Sequence, residues 1–418
     1  MEDAGSKNVL RISRRAADRL RAGHLWVYRT DIEGAVEGLE AGALVTVVDG
    51  RAIPLGSALY SNSSQIAARI VSRTPALTRE QYLLDVRVRV DAALARRRVL
   101  APVTETDNAH RLIFSEADGL PGIVADRYND LVLLQLLMQG TARDDVRGVV
   151  VEALRTEFAG TALTVWERPD PRIRELEQLA APAQGPLFAS GEAAGTTEFR
   201  LNGLRFEYDA AAGQKTGAFL DQRLNYAAAA RWVQDSGRIA KALDVCTYQG
   251  GFALHLAQVC ERVTGVDASR AALEAADRNL ERNADLKAGT DWIEADAFDL
   301  LRAYDEAARK DLTRRFDAIV LDPPAFAKSK RAMEGAMRGY KELNLRALRL
   351  LNAGGTLVTC SCSHHVSLED FIGVISEAAN DAGRRVQLLE TRAAAPDHPE
   401  VLTLAETRYL KCLVLRVD

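Results

Sequence analysis

The carboxyl-terminal half of the chain alternates short apolar segments with longer amphipathic ones, and this alternation constrains the fold more than any other feature. From residue 243 onward the apolar segments are LDV, VTGVD, TDWIEADAF, FDAIVLDPP, GGTLVTCSCS and RYLKCLVLRV. Each has the length and composition of a strand, and helical spacing occupies the stretches between them. The pattern predicts a mostly parallel, doubly wound α/β sheet with an antiparallel strand at its end.

A glycine turn follows the first of these strands. Residues 243–256, LDVCTYQGGFALHL, predict a strand, a turn at Gly250-Gly251 and a helix. Backbone N–H groups at such a helix start point past the carboxyl edge of the sheet, where open α/β folds bind ligands. The turn lacks the G-x-G-x-x-G spacing that cradles a pyrophosphate, so NAD is not expected.

Carboxylates follow the next three strands. Asp267 closes the second strand, where it can accept both hydroxyl protons of a ribose. Asp296 follows the third strand, and Asp322-Pro323-Pro324 follows the fourth. A ribose-binding carboxylate beside a turn with no phosphate pattern predicts an adenosine cofactor without phosphates. We therefore expect S-adenosyl-L-methionine and a methyltransferase rather than a Rossmann-like domain without a ligand.

Two side chains suited to base chemistry end the fourth and fifth strands. The prolines after Asp322 hold the backbone extended, so its carboxylate can face a planar ring. Cys362 ends the fifth strand and is expected to point into the same cleft. Its thiolate could add to carbon 6 of a pyrimidine and make carbon 5 nucleophilic. Cys360 shares that side of the strand by period-two spacing and is the second candidate nucleophile.

The segment just before the first strand predicts either a flap or a plain surface hairpin. Residues 213–223, GQKTGAFLDQR, predict a turn at Gly213 and a helix that begins near Asp221. As a flap, the segment would bring Lys215 and Gln222 to the active site. As a hairpin, it would use Asp221 only as the N-cap of the helix.

The amino-terminal segment predicts a small β-rich module. Its G-H-x-W-V-Y motif at residues 23–28 and its S-Q-I-A-A-R-I motif at residues 64–70 resemble the PUA domain, an RNA-binding pseudo-barrel. Trp26 and Tyr28 either stack on bases or share one packed face of a strand, and packing is favoured. Residues 1–30 carry seven Lys and Arg side chains against three Asp and Glu, so this end can contact phosphates although the net charge is −4.

Three domains follow from these patterns. We predict a PUA-like RNA-binding domain at residues 1–75, a middle α+β domain at 76–185 and a Rossmann-like methyltransferase domain at 186–418. In the middle domain, residues 111–140 predict two strands joined by turns at Asp118-Gly119 and Pro121-Gly122. The Pro-, Ala- and Gly-rich segment 181–195 reads as the linker to the third domain.

The composition excludes several classes of protein. The 418 residues contain no apolar run long enough to span a membrane and no signal-peptide core, so we expect a cytoplasmic protein. The five cysteines show no paired framework. Neither they nor the six histidines have a metal-binding spacing, and no metal is expected.

Taken together, these stretches resemble the RlmI-type ribosomal-RNA large-subunit cytosine C5-methyltransferases. The matching segments are GQKTGAFLDQR (213–223), DVCTYQGGFALHLA (244–257), VDASRAALEAADRN (266–279), LDPPAFAKSK (321–330), GAMRGYKELN (335–344) and SCSHHVS (361–367). The resemblance implies methyl transfer from S-adenosylmethionine to carbon 5 of a cytosine in 23S ribosomal RNA, with Cys362 as nucleophile. It also implies that Asp244, Tyr248 and Gly250 line the cofactor, that Asp267 holds its ribose and that Asp296 approaches its adenine. From their positions in the sequence we expect Asp322, Lys215 and Gln222 to bind the cofactor as well.

One departure concerns the wider RNA cytosine-C5 enzymes, which commonly carry a second cysteine after the first proline of the D-P motif. Here Pro324 and Ala325 stand in that place, so the step that releases the enzyme has no evident agent. Asp322, a water molecule and Cys360 are candidates.

Two other functions fit the same sequence. A guanine N-methyltransferase of related architecture would need no thiol, and a non-catalytic RNA-binding or ribosome-assembly factor would keep only the fold. The modified nucleotide, naked RNA or an assembled particle as substrate, and a monomer or a homodimer stay open.

Overall fold

The computed structural model describes residues 8–418 except 35, 37, 169, 183, 211–216, 238–240 and 327–332. Its amino-terminal elements are β1 (Val9–Arg11), α1 (Arg14–Arg21), β2 (Trp26–Tyr28), β3 (Leu44–Val48), β4 (Pro54–Tyr60) and β5 (Ile66–Ser72). The strands pair in the order β1-β3-β4-β5-β2, with β1 and β3 parallel and the other pairs antiparallel. Helix α1 buries Ala16, Ala17 and Leu20 against this sheet. The predicted β-rich module is confirmed.

A second sheet occupies the middle of the chain. Its elements are α2 (Arg79–Leu100), β6 (Ala109–Phe114), β7 (Ile123–Tyr128), β8 (Leu131–Leu136), α3 (Asp144–Glu157), β9 (Thr164–Glu167), α4 (Pro171–Glu177) and β10 (Phe188–Ala189). The strands pair in the order β10-β9-β8-β7-β6. The boundaries predicted after residues 75 and 185 stay predictions, and β10 pairs with this sheet although it follows the second boundary.

The prediction of two strands in residues 111–140 is wrong. Three strands, β6, β7 and β8, lie in this range, because the second predicted strand is a hairpin. Asn129 sits in its turn with a φ of +54°. Asn tolerates this left-handed conformation better than most residues, so it lets the chain reverse within an apolar run.

The carboxyl-terminal sheet follows the alternation predicted from the sequence. The elements are β11 (Thr196–Leu201), β12 (Leu204–Asp209), α5 (Arg223–Asp235), β13 (Lys241–Val245), α6 (Gly251–Leu256), β14 (Arg262–Asp267), α7 (Arg270–Arg282), β15 (Gly289–Glu294), α8 (Ala297–Lys310), β16 (Phe316–Leu321), α9 (Met333–Leu350), β17 (Leu351–Ser361), α10 (Leu368–Ala382), β18 (Val386–Arg392) and β19 (Lys411–Val417). Strands β11 and β12 form a separate hairpin.

The large sheet has the order β15-β14-β13-β16-β17-β19-β18. The first five strands in this order, β15, β14, β13, β16 and β17, run parallel to one another, and β19 is antiparallel to both of its neighbours. The predicted doubly wound fold is confirmed. Strand β18 was not predicted. Its sequence, VQLLETR, lies half-exposed at the sheet edge and lacks the apolar run that marks the inner strands.

Apolar side chains cover both faces of this sheet. On one face Leu243, Ile319 and Leu357 belong to a core that also contains buried residues of α8, α9 and α10. On the other face Val320 and Val358 belong to a core with α5 and α6. The strands are therefore buried on both sides, which explains their near-continuous apolar runs.

A buried ion cluster joins the middle sheet to the segment between β18 and β19. The Asp397 carboxylate accepts a hydrogen bond from Arg223 Nη2 at 3.0 Å and one from the backbone N–H of Arg111 at 2.8 Å. Arg97 donates to the Asp397 carbonyl at 3.0 Å. Burial alone would raise the pKa of Asp397, but His398, Arg223 and the Arg111 N–H hold it well below its ordinary value.

The aromatic pair of the first module, Trp26 and Tyr28, lies where this module contacts the rest of the chain. Trp26 Nε1 donates to Glu116 at 2.8 Å, and the Tyr28 hydroxyl donates to Glu406 at 3.2 Å. The two rings contact each other edge to face and are half-buried. They therefore attach the first module to the rest of the chain instead of filling its own core.

Within the described residues, no helix is long and apolar enough to cross a membrane.

Substituting Asp397 by Ala should destabilise the protein by about 3–5 kcal/mol, because it leaves buried Arg223 without its carboxylate partner. Urea unfolding measures the change. The matched control is Asp91→Ala, which removes an exposed pair with Arg87 and should cost no more than about 0.5 kcal/mol. Equal effects of the two substitutions would contradict the role given to the cluster.

Candidate active site

A cleft of about 520 Å³ opens at the carboxyl edge of the large sheet. Its walls are the residues that follow β13 to β17, together with residues 219–222 and 409–410. The charged residues among those that line it are carboxylates: Asp221, Asp267, Asp296 and Asp322. Because the described lining contains no Lys or Arg, the cleft disfavours phosphate groups and favours a cation. Its volume suits a nucleoside-sized ligand.

The turn after β13 forms one wall and is held in a strained conformation. Cys246, Tyr248 and Gly250 have φ values of +66°, +52° and +87°. For the two residues that are not glycine this conformation costs about 1 kcal/mol or more, and such strain is concentrated at ligand-binding sites. The Asp244 carboxylate stabilises the turn by accepting a hydrogen bond from the Thr247 hydroxyl at 2.6 Å.

Asp244 and Gly250 lie behind the cleft surface, whereas Tyr248 lines it. Asp244 is fully buried, and burial raises the pKa of its carboxyl to about 7. Its Oδ1 is buried with no hydrogen-bond partner among the described residues. The sequence grouped all three as cofactor-lining residues. In the structure Asp244 and Gly250 also shape the turn, since the Asp244 carboxylate accepts a hydrogen bond from the Ala253 N–H of α6 at 2.9 Å. That the three residues bind the cofactor stays a prediction.

Asp267 and Asp296 line the part of the cleft beyond β14 and β15. Asp267 accepts hydrogen bonds from the backbone N–H groups of Tyr248 and Ser269, both at 2.9 Å. Asp296 caps α8 by accepting from the N–H of Phe298 at 2.9 Å. Each carboxylate keeps lone pairs for a ligand. That Asp267 holds a ribose and Asp296 approaches an adenine stays a prediction.

Asp322 and Gln222 meet in the cleft although 100 residues separate them. Gln222 Nε2 donates to Asp322 Oδ1 at 3.0 Å. Burial, with the charges of Asp221 and Asp244, raises the pKa of Asp322 to about 8. At neutral pH this carboxyl therefore keeps its proton, and it can donate a hydrogen bond. Lys215, the other residue predicted from the same segment, lies outside the described residues.

The structure separates the two candidate nucleophiles. Cys362 lines the cleft, and its thiol lies 3.9 Å from the Pro323 carbonyl oxygen. Cys360 is fully buried and pairs directly across the sheet with Cys412. Burial raises the pKa of both thiols, to about 12 for Cys362 and well above its ordinary value for Cys360. Of the two, Cys362 is the thiol that a ligand in the cleft can reach.

Several cleft residues were not predicted from the sequence. Phe219 packs against Tyr248 with ring centroids 5.1 Å apart, and Phe298 and Phe326 line the cleft with ring centroids 5.9 Å apart. Tyr409, at the entry to β19, also lines the cleft. Phe219 and Phe326 lie in segments that carry the family resemblance, but no chemical argument singled out their rings, and only the fold brings these aromatics together.

Lys411 was likewise not predicted. It is 5% exposed, and its amine donates to the carbonyl oxygens of Ser363 and Tyr409 at 2.7 and 2.8 Å. Burial lowers the pKa of Lys411 to about 8, and the effect of Cys362 opposes this change. A cationic amine therefore stands close to the Cys362 thiol.

Comparison with known proteins places this cleft in a family. The chain is 35% identical over 403 residues to the ribosomal RNA large subunit methyltransferase I of Klebsiella pneumoniae (strain 342), covering 94% of each chain. It is also 35% identical over 407 residues to the protein of that name from Escherichia coli (strain SMS-3-5 / SECEC), covering 94% of this chain and 95% of the relative. The chain belongs to the ribosomal RNA large subunit methyltransferase I family. The relationship spans all three parts of the fold.

Matches to family profiles identify the cofactor of this methyltransferase. The profile of S-adenosylmethionine-dependent methyltransferases matches residues 120–416, and that of the PUA-like domain matches residues 10–73. Both predictions from the sequence, the cofactor and the PUA-like module, are confirmed. The acidic cleft fits S-adenosylmethionine, which is a sulfonium cation without phosphates.

Solved structures share the fold of the methyltransferase. SMU.776, assigned as a methyltransferase and crystallised with SAH, has a TM-score of 0.78 at 20% identity, covering 98% of this chain and all of the other. A protein from Streptococcus mutans, assigned as SAM-dependent, has the same TM-score at 19% identity, with 98% of this chain and 100% of the other covered. At these identities the likeness shows the fold alone.

The raised pKa of Asp322 predicts a pH-dependent stability. Between about pH 4 and pH 8 the folded protein keeps a proton on Asp322 that the unfolded chain has lost, so stability falls as pH rises. The Asp322→Asn variant has no carboxyl group to titrate at this position, so this decrease in stability with rising pH is absent from it. Relative to the wild type, the variant should gain more than about 1 kcal/mol between pH 5 and pH 8.

Thermal and urea unfolding at several pH values measure this gain. The control is Asp296→Asn, which changes an exposed carboxylate and should follow the wild type across the range. A stability difference for Asp322→Asn that stays constant with pH would refute the assignment.

Proposed function

We propose that this methyltransferase transfers a methyl group to carbon 5 of a cytosine in large-subunit ribosomal RNA, through a covalent bond between Cys362 and carbon 6. The relatives' names support the RNA substrate, and the PUA-like module supports RNA binding. The observation that carries the choice of atom is the Cys362 thiol in the same cleft as Asp322.

Methylation of carbon 5 of a pyrimidine requires a nucleophile such as a thiol in the active site. Carbon 5 of a pyrimidine is a weak nucleophile until a thiolate adds to carbon 6 and makes an enolate-like ring. S-adenosylmethionine, when bound, supplies an electrophilic methyl group. The target carbon is inaccessible in a stacked helix, so the cytosine must be flipped or presented in a loop. The aromatic walls of the cleft, which include Phe219 and Tyr248, offer stacking surfaces for a base.

Asp322 supports the addition as a proton donor. Its carboxyl keeps a proton at neutral pH, because burial raises its pKa to about 8. Donation of this proton to the ring nitrogen N3 withdraws electrons from carbon 6 as the thiolate adds. Gln222, which donates to Oδ1, fixes the orientation of the carboxyl group.

Cys362 must lose its own proton, which passes to solvent water, before it adds. Burial and the charges of Asp322 and Asp221 raise the pKa of its thiol to about 12, and Lys411 opposes this shift. The thiol is therefore protonated in the free protein at neutral pH. We assign the stabilisation of the thiolate to Lys411, whose own position is fixed by two backbone carbonyls.

Two rivals make different demands on these residues. A guanine N-methyltransferase would use the cofactor and the cleft but would not need Cys362. A non-catalytic RNA-binding or assembly factor would need neither Cys362 nor the protonated Asp322. Loss of Cys362 therefore discriminates the proposed function from both rivals, and the presence or absence of methyl transfer separates the two rivals from each other.

Cys362→Ala should lower methylation of unmodified large-subunit ribosomal RNA by about 10³-fold or more, because the nucleophile is lost. Transfer of labelled methyl groups to the RNA measures the rate. Cys360→Ala is the matched control. It removes a buried thiol near the site, should cost about 1 kcal/mol of stability, and should retain most of the activity. Full methylation by Cys362→Ala would eliminate the covalent step.

A further inference from the structure

We propose that Asp221 is the base that removes the carbon-5 proton after methyl transfer, and that Tyr409 positions it. This inference rests on the proposed function and adds a catalytic residue to it. It names the agent of the release step, which the sequence left open because Pro324 and Ala325 stand where a second cysteine occurs in other RNA cytosine-C5 enzymes.

Asp221 does not have the structural role that its position predicts. It lies in a short 3-10 turn, Leu220–Gln222, directly before α5. The N-cap of α5 is Gln222, and α5 has no side-chain cap, so the alternative in which Asp221 caps the helix is wrong. Its Oδ2 instead accepts a hydrogen bond from the Tyr409 hydroxyl at 2.6 Å, across 188 positions of sequence. The local sequence therefore does not account for this carboxylate.

Tyr409 is built to hold Asp221 in place. Its ring is packed near Phe114 and His364, with centroids 6.5 and 6.0 Å away. Burial and the charge of Asp221 raise the pKa of Tyr409 well above its ordinary value, so its hydroxyl stays a donor. One carboxylate oxygen is thereby occupied, and the orientation of the other is fixed. The backbone of Asp221 is held as well, since its carbonyl accepts from Ala395 N–H at 2.8 Å.

The location of Asp221 matches the reacting end of the cleft. It lines the cleft together with Asp322 and Cys362, and its negative charge raises the pKa of both. Asp267 and Asp296 lie beyond β14 and β15, where their carboxylates bind backbone N–H groups. Among the described carboxylates of the lining, Asp221 is thus the one beside the thiol that does not already serve as proton donor.

The other candidates for the release step are less suitable. Asp322 has given its proton to N3 when the adduct forms and takes it back from N3 at release, so its carboxylate, oriented by Gln222, faces the ring nitrogen and not carbon 5. Cys360 is fully buried behind the cleft wall, and its pKa is raised well above its ordinary value. Neither can take a proton from carbon 5 at neutral pH without rearrangement.

The proposed step balances as a β-elimination. After methyl transfer, carbon 5 carries both the methyl group and hydrogen, and carbon 6 carries the Cys362 sulfur. The Asp221 carboxylate takes the carbon-5 proton, and the electrons of the C–H bond form the C5–C6 double bond. The C6–S bond breaks with its electron pair returning to sulfur, and N3 returns its proton to Asp322. The products are 5-methylcytosine, the Cys362 thiolate and a protonated Asp221.

Asp221→Asn tests this step directly. Asn keeps an oxygen that accepts from Tyr409 but cannot act as a base, so the fold is expected to survive. The substrate is large-subunit ribosomal RNA transcribed with cytidine tritiated at carbon 5, and tritium release measures proton removal. Release should fall at least ~100-fold. At the same time, a methylated enzyme–RNA adduct that survives denaturation should accumulate to about one per enzyme molecule.

Three companion variants separate catalysis from structure. Tyr409→Phe should slow tritium release less than Asp221→Asn, while adduct still forms. Asp221→Glu should restore part of the release. Asp296→Asn is the matched carboxylate control and should slow methylation without any accumulation of adduct. Tritium release by Asp221→Asn at the wild-type rate, or accumulation of adduct by Asp296→Asn alone, would overturn the proposal.

A fluorinated substrate distinguishes failure of this inference from failure of the proposed function. RNA that carries 5-fluorocytidine has no carbon-5 proton to remove, so the wild type and Asp221→Asn should both be trapped as adducts. If both are trapped but Asp221→Asn still releases tritium normally from ordinary RNA, only the role of Asp221 is wrong. If the wild type is not trapped, the Cys362 mechanism itself is wrong.

Discussion

The parallel pairing of β13, β14, β16 and β17 is the constraint on which the site depends. Parallel strands end at the same sheet edge, and their register aligns Val245 with Leu321 and Leu321 with Thr359. The residues that follow are therefore brought together: the turn after β13, Asp322 after β16, and Cys362 just past β17. Packing on both faces fixes this register, because a slip of one residue would move every side chain into the opposite core and disrupt the packing of both.

The segment between β18 and β19 links this edge to the rest of the molecule. Asp397 in this segment binds Arg111 of the middle sheet and Arg223 of α5. Further along, the Glu406 side chain accepts from Tyr28 of the PUA-like module, and its carbonyl lies 3.0 Å from Nδ1 of His364. Near its end, Tyr409 of the same segment lines the cleft. The PUA-like module is thus connected through one stretch of chain to the loop that follows Cys362.

Local patterns in the sequence were enough to predict the doubly wound sheet, the cofactor and the clustering of Asp267, Asp322 and Cys362 at one edge. Each of these predictions depends on the strands and the residues at their ends, which a short stretch of sequence is enough to recognise. Contributions from distant segments were not predictable in this way. Tyr409 reaches Asp221 across the whole methyltransferase fold, and the N-cap rule, which considers only neighbours, assigned Asp221 to the wrong partner. Strand β18 was missed because a half-exposed edge strand carries little apolar signal.

We propose that the Cys362 thiol and the Asp322 carboxyl, which line the same cleft, act together on carbon 5 of cytosine. Identification of the methylated nucleoside tests it most directly. The wild-type protein is incubated with unmodified large-subunit ribosomal RNA and methyl-labelled S-adenosylmethionine, and the RNA is digested to nucleosides for separation and mass spectrometry. Labelled 5-methylcytidine is the predicted product. Labelled methylguanosine would contradict the thiol mechanism while leaving the fold and the cofactor in place.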